Sequence, residues 1–140
     1  MRRIQILAVE DNYADVHWLK MLLDRMGLVY SLSVVTDGEK AVDFLLKRKE
    51  YEKAPEPDLI LLDLNLPKLG GIDVLRAVPN FDQMPFCVVT GSERERDYLK
   101  THFGIRRLAY LVKPLDRDRL LNCFRCYAHL RPVAEELARG

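Results

Sequence analysis

The segment Asp58-Leu-Ile-Leu-Leu-Asp63 sets four successive apolar residues between two carboxylates. A strand with one wet face alternates apolar and polar side chains, so an unbroken apolar run must be covered on both faces. A parallel sheet sandwiched between helices meets that demand. The remaining sequence supplies the parts. Ile4–Val9, Leu28–Thr36, Phe86–Val89 and Leu108–Val112 also read as strands. Apolar residues at helical spacing separate or follow them. Leu19, Leu22, Leu23 and Met26 form one set, with Gly27 as a C-terminal stop, and Ala41, Val42, Leu45 and Leu46 form the next. Ile72, Leu75 and Val78 lead to Pro79, and the charged stretch Glu93–Phe103 leads to Gly104. Leu120, Leu121, Phe124, Tyr127 and Leu130 stripe a last helix. Asn12–Asp15 reads as a break after the first strand, Asp37-Gly38 as a turn closing the second, and Lys47–Pro57 as a loop.

Five strands alternating with five helices predict an α/β fold: a doubly wound, five-stranded parallel sheet of the flavodoxin-like order 2-1-3-4-5. The 140 residues are too few for a barrel of alternating strands and helices, which needs about 250. They suit one domain, expected over residues 1–131, with residues 132–140 as a C-terminal extension and no output domain. The net charge of +1 carries no basic excess and no helix-turn-helix segment is evident, which argues against DNA as a partner. No apolar run approaches the ~20 residues that span a bilayer, and Ile4–Val9 is too short for a signal peptide. Three cysteines, an odd number, fit a reducing compartment, so the expected location is cytoplasmic and no membrane partner is expected. Cys123-Phe-Arg-Cys126 has C-x-x-C spacing but falls inside a helix and lacks the second pair of a zinc site, so it reads as inert. His17, His102 and His129 show no metal-ligand spacing.

In open α/β sheets the functional site lies at the carboxyl ends of the strands. Strand one ends in Glu10-Asp11, strand three in Asp63 with Asn65 two positions on, strand four in Thr90-Gly91-Ser92 and strand five in Lys113-Pro114. Three carboxylates, a hydroxyl and an ammonium thus converge on one rim. Carboxylates packed together repel unless cations intervene, and Lys113 alone does not balance three. Hard oxygen ligands select Mg2+ or Ca2+, and Mg2+ typically takes one or two carboxylates plus water and a phosphate oxygen. A carboxylate between a metal and a lysine is placed to attack phosphorus.

These strand-end residues, taken in order, resemble the receiver domain of response regulators over about residues 4–130. The resemblance implies that Asp63 is the phosphoacceptor, that Glu10 and Asp11 hold Mg2+ and that the Asn65 backbone carbonyl completes the metal shell. It makes Thr90 the switch hydroxyl, Lys113 the phosphate-pairing lysine and Tyr110 the aromatic switch, and it implies a cis Lys113-Pro114 bond. It also implies a histidine kinase as phosphodonor. The loop before Pro57-Asp58 and the sequence Asp63-Leu-Asn-Leu-Pro67 resemble the stand-alone receivers that serve bacterial phytochromes. The chain is then a switch that assists its own phosphorylation without turnover. Gly70-Gly71 departs from the commoner acidic-Gly pair, and Gly104–Lys113 is longer than the usual pattern.

Two other readings stand beside this one. A degenerate receiver would bind partners without phosphorylation. A haloacid-dehalogenase-type phosphatase would also use an aspartate nucleophile, but its general acid would fall at Asn65, which cannot donate a proton in that way. A homodimer is expected through the face of helix four, strand five and helix five. There Leu108, Tyr110, Phe124 and Tyr127 interleave with Arg106, Arg107, Arg117, Arg119 and Arg125, the mixture that interface centres enrich. Val133–Leu137 is expected to pack on a neighbouring copy, with Glu135 and Glu136 meeting those arginines across a two-fold axis.

Overall fold

The computed structural model describes residues 2–66, 68–103 and 108–140, apart from the Phe103 side chain; Met1, Pro67, Gly104, Ile105, Arg106 and Arg107 are outside that description. Strands β1 (Ile4–Val9), β2 (Tyr30–Val35), β3 (Leu59–Asp63), β4 (Phe86–Thr90) and β5 (Ala109–Val112) form one sheet in the order β2-β1-β3-β4-β5. Every pairing is parallel, as predicted. Every residue of β3 and β4 is buried. Their alternation sends Leu59, Leu61, Cys87 and Val89 into one core and Ile60, Leu62, Phe86 and Val88 into the other. This is what the unbroken apolar run requires.

Helices α1 (Tyr13–Arg25), α5 (Arg117–Arg125) and α6 (Arg131–Arg139) cover the first core through Leu19, Leu23, Leu120, Phe124 and Leu137. Helices α2 (Gly38–Leu45), α3 (Gly71–Ala77) and α4 (Glu93–Phe103) cover the second through Ala41, Phe44, Val74, Leu75 and Leu99. Gly27 ends α1 with φ +77°, the left-handed conformation that glycine adopts without a Cβ penalty.

Three local expectations are corrected. Asp37 does not close a turn; its carboxylate accepts from the Lys40 amide at 2.8 Å and caps α2, whose first residue is Gly38. Asn12–Asp15 is not a break, because the Asn12 side chain accepts from the Asp15 amide at 3.1 Å and starts α1 at Tyr13. The last helical stripe is not continuous. α5 stops at Arg125, and the half-buried Tyr127 phenol reaches two strands, donating to the Phe86 carbonyl and accepting from the Ala109 amide at 3.4 Å. A buried hydroxyl needs partners, and that need turns the chain out of the helix.

The C-terminal segment also differs from expectation. A short 3-10 turn (Ala128–Leu130) leads into α6, whose Val133, Ala134 and Leu137 are buried in the core shared with α5. The Arg117 guanidinium donates to the Leu137 carbonyl at 3.0 Å. Val133–Leu137 therefore packs on its own chain rather than on a neighbour, because the apolar stripe of α5 is within reach. Leu108 and Phe124, expected on an outer face, are buried.

Candidate functional site

The carboxyl ends of β1, β3, β4 and β5 bring Glu10, Asp63, Thr90 and Lys113 to one rim. Glu10, Asp63 and Thr90 are buried. The Lys113 amide donates to the Thr90 carbonyl at 2.9 Å, which fixes where β5 ends against β4. The Lys113-Pro114 bond is cis. From there the Lys113 ammonium donates to Asp63 Oδ2 at 2.7 Å, Asp15 Oδ2 at 2.7 Å and Glu10 Oε1 at 3.1 Å. The Asn65 amide donates to Asp63 Oδ1 at 2.7 Å. Both oxygens of Asp63 are thus held, one by a cation and one by the backbone.

Glu10, Asp15 and Asp63 each offer a carboxylate oxygen, and these oxygens lie within 4.8 Å of one another. Burial, with Asp63 and Asp15 beside it, pushes the Glu10 carboxyl up to about 9. Burial also opposes ionisation of Asp63, but the neighbouring Glu10 carboxyl, the Lys113 ammonium and the Asn65 amide outweigh it and hold that carboxyl below its usual range. Glu10 and Lys113 do the same for Asp15. Burial opposes the charge on Lys113, yet three carboxylates keep its ammonium above the usual lysine range. The protein therefore concentrates negative charge around one lysine, with Glu10 as the group that yields its charge first.

The donor set fits a hard divalent cation. Glu10 Oε2 is buried and has no hydrogen-bond partner among the described residues, beside the Asp63 and Asp15 carboxylates. Of the residues that the sequence assigned to the site, Glu10, Asp63 and Lys113 meet directly. Asp11 is exposed and is not in the carboxylate cluster. Asn65 is exposed and engages Asp63 through its amide. The Thr90 hydroxyl donates to the Ser92 carbonyl at 3.0 Å. Tyr110 is half-buried, with the Lys100 ammonium 5.3 Å from its ring centroid. Asp15 was missed. Its signal was Asn12, a strong helix cap that puts residue 15 on the first turn, facing the strand ends.

Below the carboxylates lies a cavity of about 280 Å3 between α1 and the sheet, walled by Ala8, Val16, Trp18, Leu19, Leu61 and Val89. Its polar end consists of Glu10, Asp15, Asp63 and Lys113. The site is thus a charged rim over an apolar floor.

A doubly wound sheet with an aspartate, a lysine and a hydroxyl at adjacent strand ends defines a class of phosphoryl-accepting signalling proteins. Residues 6–125 match the model of the response regulator receiver domain, and the chain belongs to that family. It is 39% identical over 111 residues to the response regulator Rcp1 of Synechocystis, covering 77% of this chain and 75% of that protein. The solved bacteriophytochrome response regulator AtBRR superposes with a TM-score of 0.80 at 28% identity, over 90% of this chain and 93% of that one. The Mn2+-bound form of Rcp1 superposes with a TM-score of 0.67 at 36% identity, over 84% and 86%. Receiver domains are signalling proteins phosphorylated by histidine kinases. No helix among the described residues is long and apolar enough to cross a membrane.

Proposed function

We propose that this chain is a phosphorylation-controlled switch in which Asp63 accepts the phosphoryl group from a histidine kinase, downstream of a bacterial phytochrome. The observation that carries the reading is the pair of contacts on Asp63, Lys113 on one oxygen and the Asn65 amide on the other. They keep the carboxylate ionised and aimed, which a nucleophile at phosphorus needs. Glu10 and Asp11, with Asp63 and the Asn65 carbonyl, hold Mg2+, which when bound offsets the charge on the incoming phosphoryl group. Lys113 pairs with a phosphoryl oxygen. Thr90 gives up its bond to the Ser92 carbonyl to reach the phosphorylated aspartate, and Tyr110 follows it inward.

The signal leaves through α4, β5 and α5, and the partner there is a second copy of the chain. What supports this surface is the exposed Tyr98 of α4 together with the arginines of α4 and α5. The switch works in the cytoplasm and without turnover of a substrate. The phytochrome assignment is supported by the likeness to AtBRR.

The experiment is labelling by a phosphorylated kinase, or by acetyl phosphate with Mg2+. Asp63→Asn abolishes the label, since an amide forms no acylphosphate. Undiminished labelling of the variant overturns the assignment. An unlabelled wild type favours a receiver that acts without phosphorylation.

A further inference from the structure

Asp15 has no part in the reading above, yet its Oδ2 lies as close to the Lys113 ammonium as Asp63 does, at 2.7 Å. The three carboxylates around that lysine are not equivalent. The side chains of Glu10 and Asp63 are 10% and 9% exposed, whereas that of Asp15 is 42% exposed. Asp15 therefore stands at the solvent side of the site, the most exposed of the three carboxylates on Lys113. It is placed there by the Asn12 cap, which fixes the first turn of α1. A carboxylate at that point does two things. It competes with the phosphoryl group for the lysine, and it repels any anion that approaches.

We propose that Asp15 is a specificity-determining residue that slows phosphoryl capture from free anionic donors. The inference rests on Asp63 being the acceptor. The step it governs is simple. An Asp63 oxygen attacks phosphorus and forms a P–O bond while the bond from phosphorus to the leaving group breaks. Acetate departs from acetyl phosphate, or ammonia from phosphoramidate, with the bonding pair. Asp15 takes no part in bond making. It withholds Lys113 from the phosphoryl oxygens and raises the cost of bringing negative charge to the site. A protein donor that offsets the carboxylate with its own cationic groups escapes that cost, so the residue favours a docked kinase over a metabolite.

The effect scales with donor charge, which gives the test its signature. Acetyl phosphate is a dianion at neutral pH and phosphoramidate carries a single net negative charge. With saturating Mg2+, Asp15→Asn keeps a polar side chain against Lys113 but removes the charge. It should speed labelling by acetyl phosphate about tenfold and by phosphoramidate about threefold, with both gains shrinking as salt rises. Asp15→Glu restores the carboxylate and should return both rates toward the wild type. A merely structural role for Asp15 would change both donors alike. Equal acceleration by the two donors, or slower labelling of Asp15→Asn, overturns the proposal. A wild type labelled by neither donor removes the acceptor reading, and this inference with it.

Discussion

The Trp18 indole N–H donates to the Leu115 carbonyl at 2.8 Å, tying the middle of α1 to the chain two residues beyond Lys113. Trp18 is the one tryptophan of the sequence and forms part of the wall of the cavity whose polar end holds Glu10, Asp15, Asp63 and Lys113. A cation that draws on those carboxylates alters the field at the indole and the position of Lys113. Mg2+ should therefore change the tryptophan fluorescence along a saturable curve. Asp11→Ala and Glu10→Gln should each move the midpoint to higher Mg2+. A wild-type signal that saturates identically in both variants would remove those two residues from the metal site.

The second prediction concerns pH. Burial raises the Glu10 carboxyl from 4.5 to about 9, so the folded protein holds a proton that the unfolded chain releases above the lower value. Protons bound preferentially by the folded state make stability fall as pH rises, here between those two values. Asp63 and Asp15, held below their usual range, contribute the opposite slope, but only in acid. Metal-free protein in chelator should thus melt at lower temperature at pH 8.5 than at pH 5.5, by a margin that Glu10→Gln reduces. Saturating Mg2+ should reduce it too, since a cation stabilises the ionised carboxylate. Melting curves whose pH dependence is the same in Glu10→Gln would exclude Glu10 as its source.

A third prediction tests why Gly71 follows Gly70. A Cβ on Gly71 would sit 2.8 Å from the Asp63 carbonyl oxygen and 2.8 Å from Leu64 Cα, and backbone cannot retreat as a side-chain tip can. The same addition at Gly70 meets nothing closer than the Asp73 carboxylate at 3.8 Å. Gly71→Ala should cost about 1–3 kcal/mol, despite the better helix propensity of alanine, and should slow labelling of Asp63 because it displaces that residue. Gly70→Ala should leave both within error. Urea unfolding and acetyl phosphate labelling of the pair would settle it, and a Gly71→Ala variant as stable as wild type would count against this packing.

The sheet order and the strand-end residues could be read from the sequence because both follow from local pattern: an apolar run for β3, and one polar residue where each run stops. Asp15 and Gly71 could not. Asp15 belongs to a helix whose start depended on recognising Asn12 as a cap, and Gly71 answers to a carbonyl contributed by a different element. Tyr127 failed for a related reason. Its spacing continues the α5 stripe, and only the partners of its hydroxyl, on β4 and β5, show that the helix has already ended. Periodicity reports which face is apolar; it carries nothing about where a buried polar tip finds its bond.

The last prediction follows from α6. Its Leu137 is 4% exposed, and with Val133 and Ala134 it closes the core over α5. The Arg117 guanidinium seals the end by donating to the Leu137 carbonyl. Leu137→Ala removes buried methyl groups from a site that α5 and the sheet keep from collapsing, and should cost about 2–4 kcal/mol. Ending the chain at residue 131 uncovers the same apolar surface and should destabilise the domain at least as much. Glu135→Ala and Glu136→Ala, on the exposed face, should stay within about 0.5 kcal/mol of wild type. Urea unfolding of these four variants at a fixed protein concentration, repeated at tenfold dilution, reads the outcome directly. A shortened chain that unfolds at the same urea concentration as the full one would mean that α6 adds nothing to the core it covers.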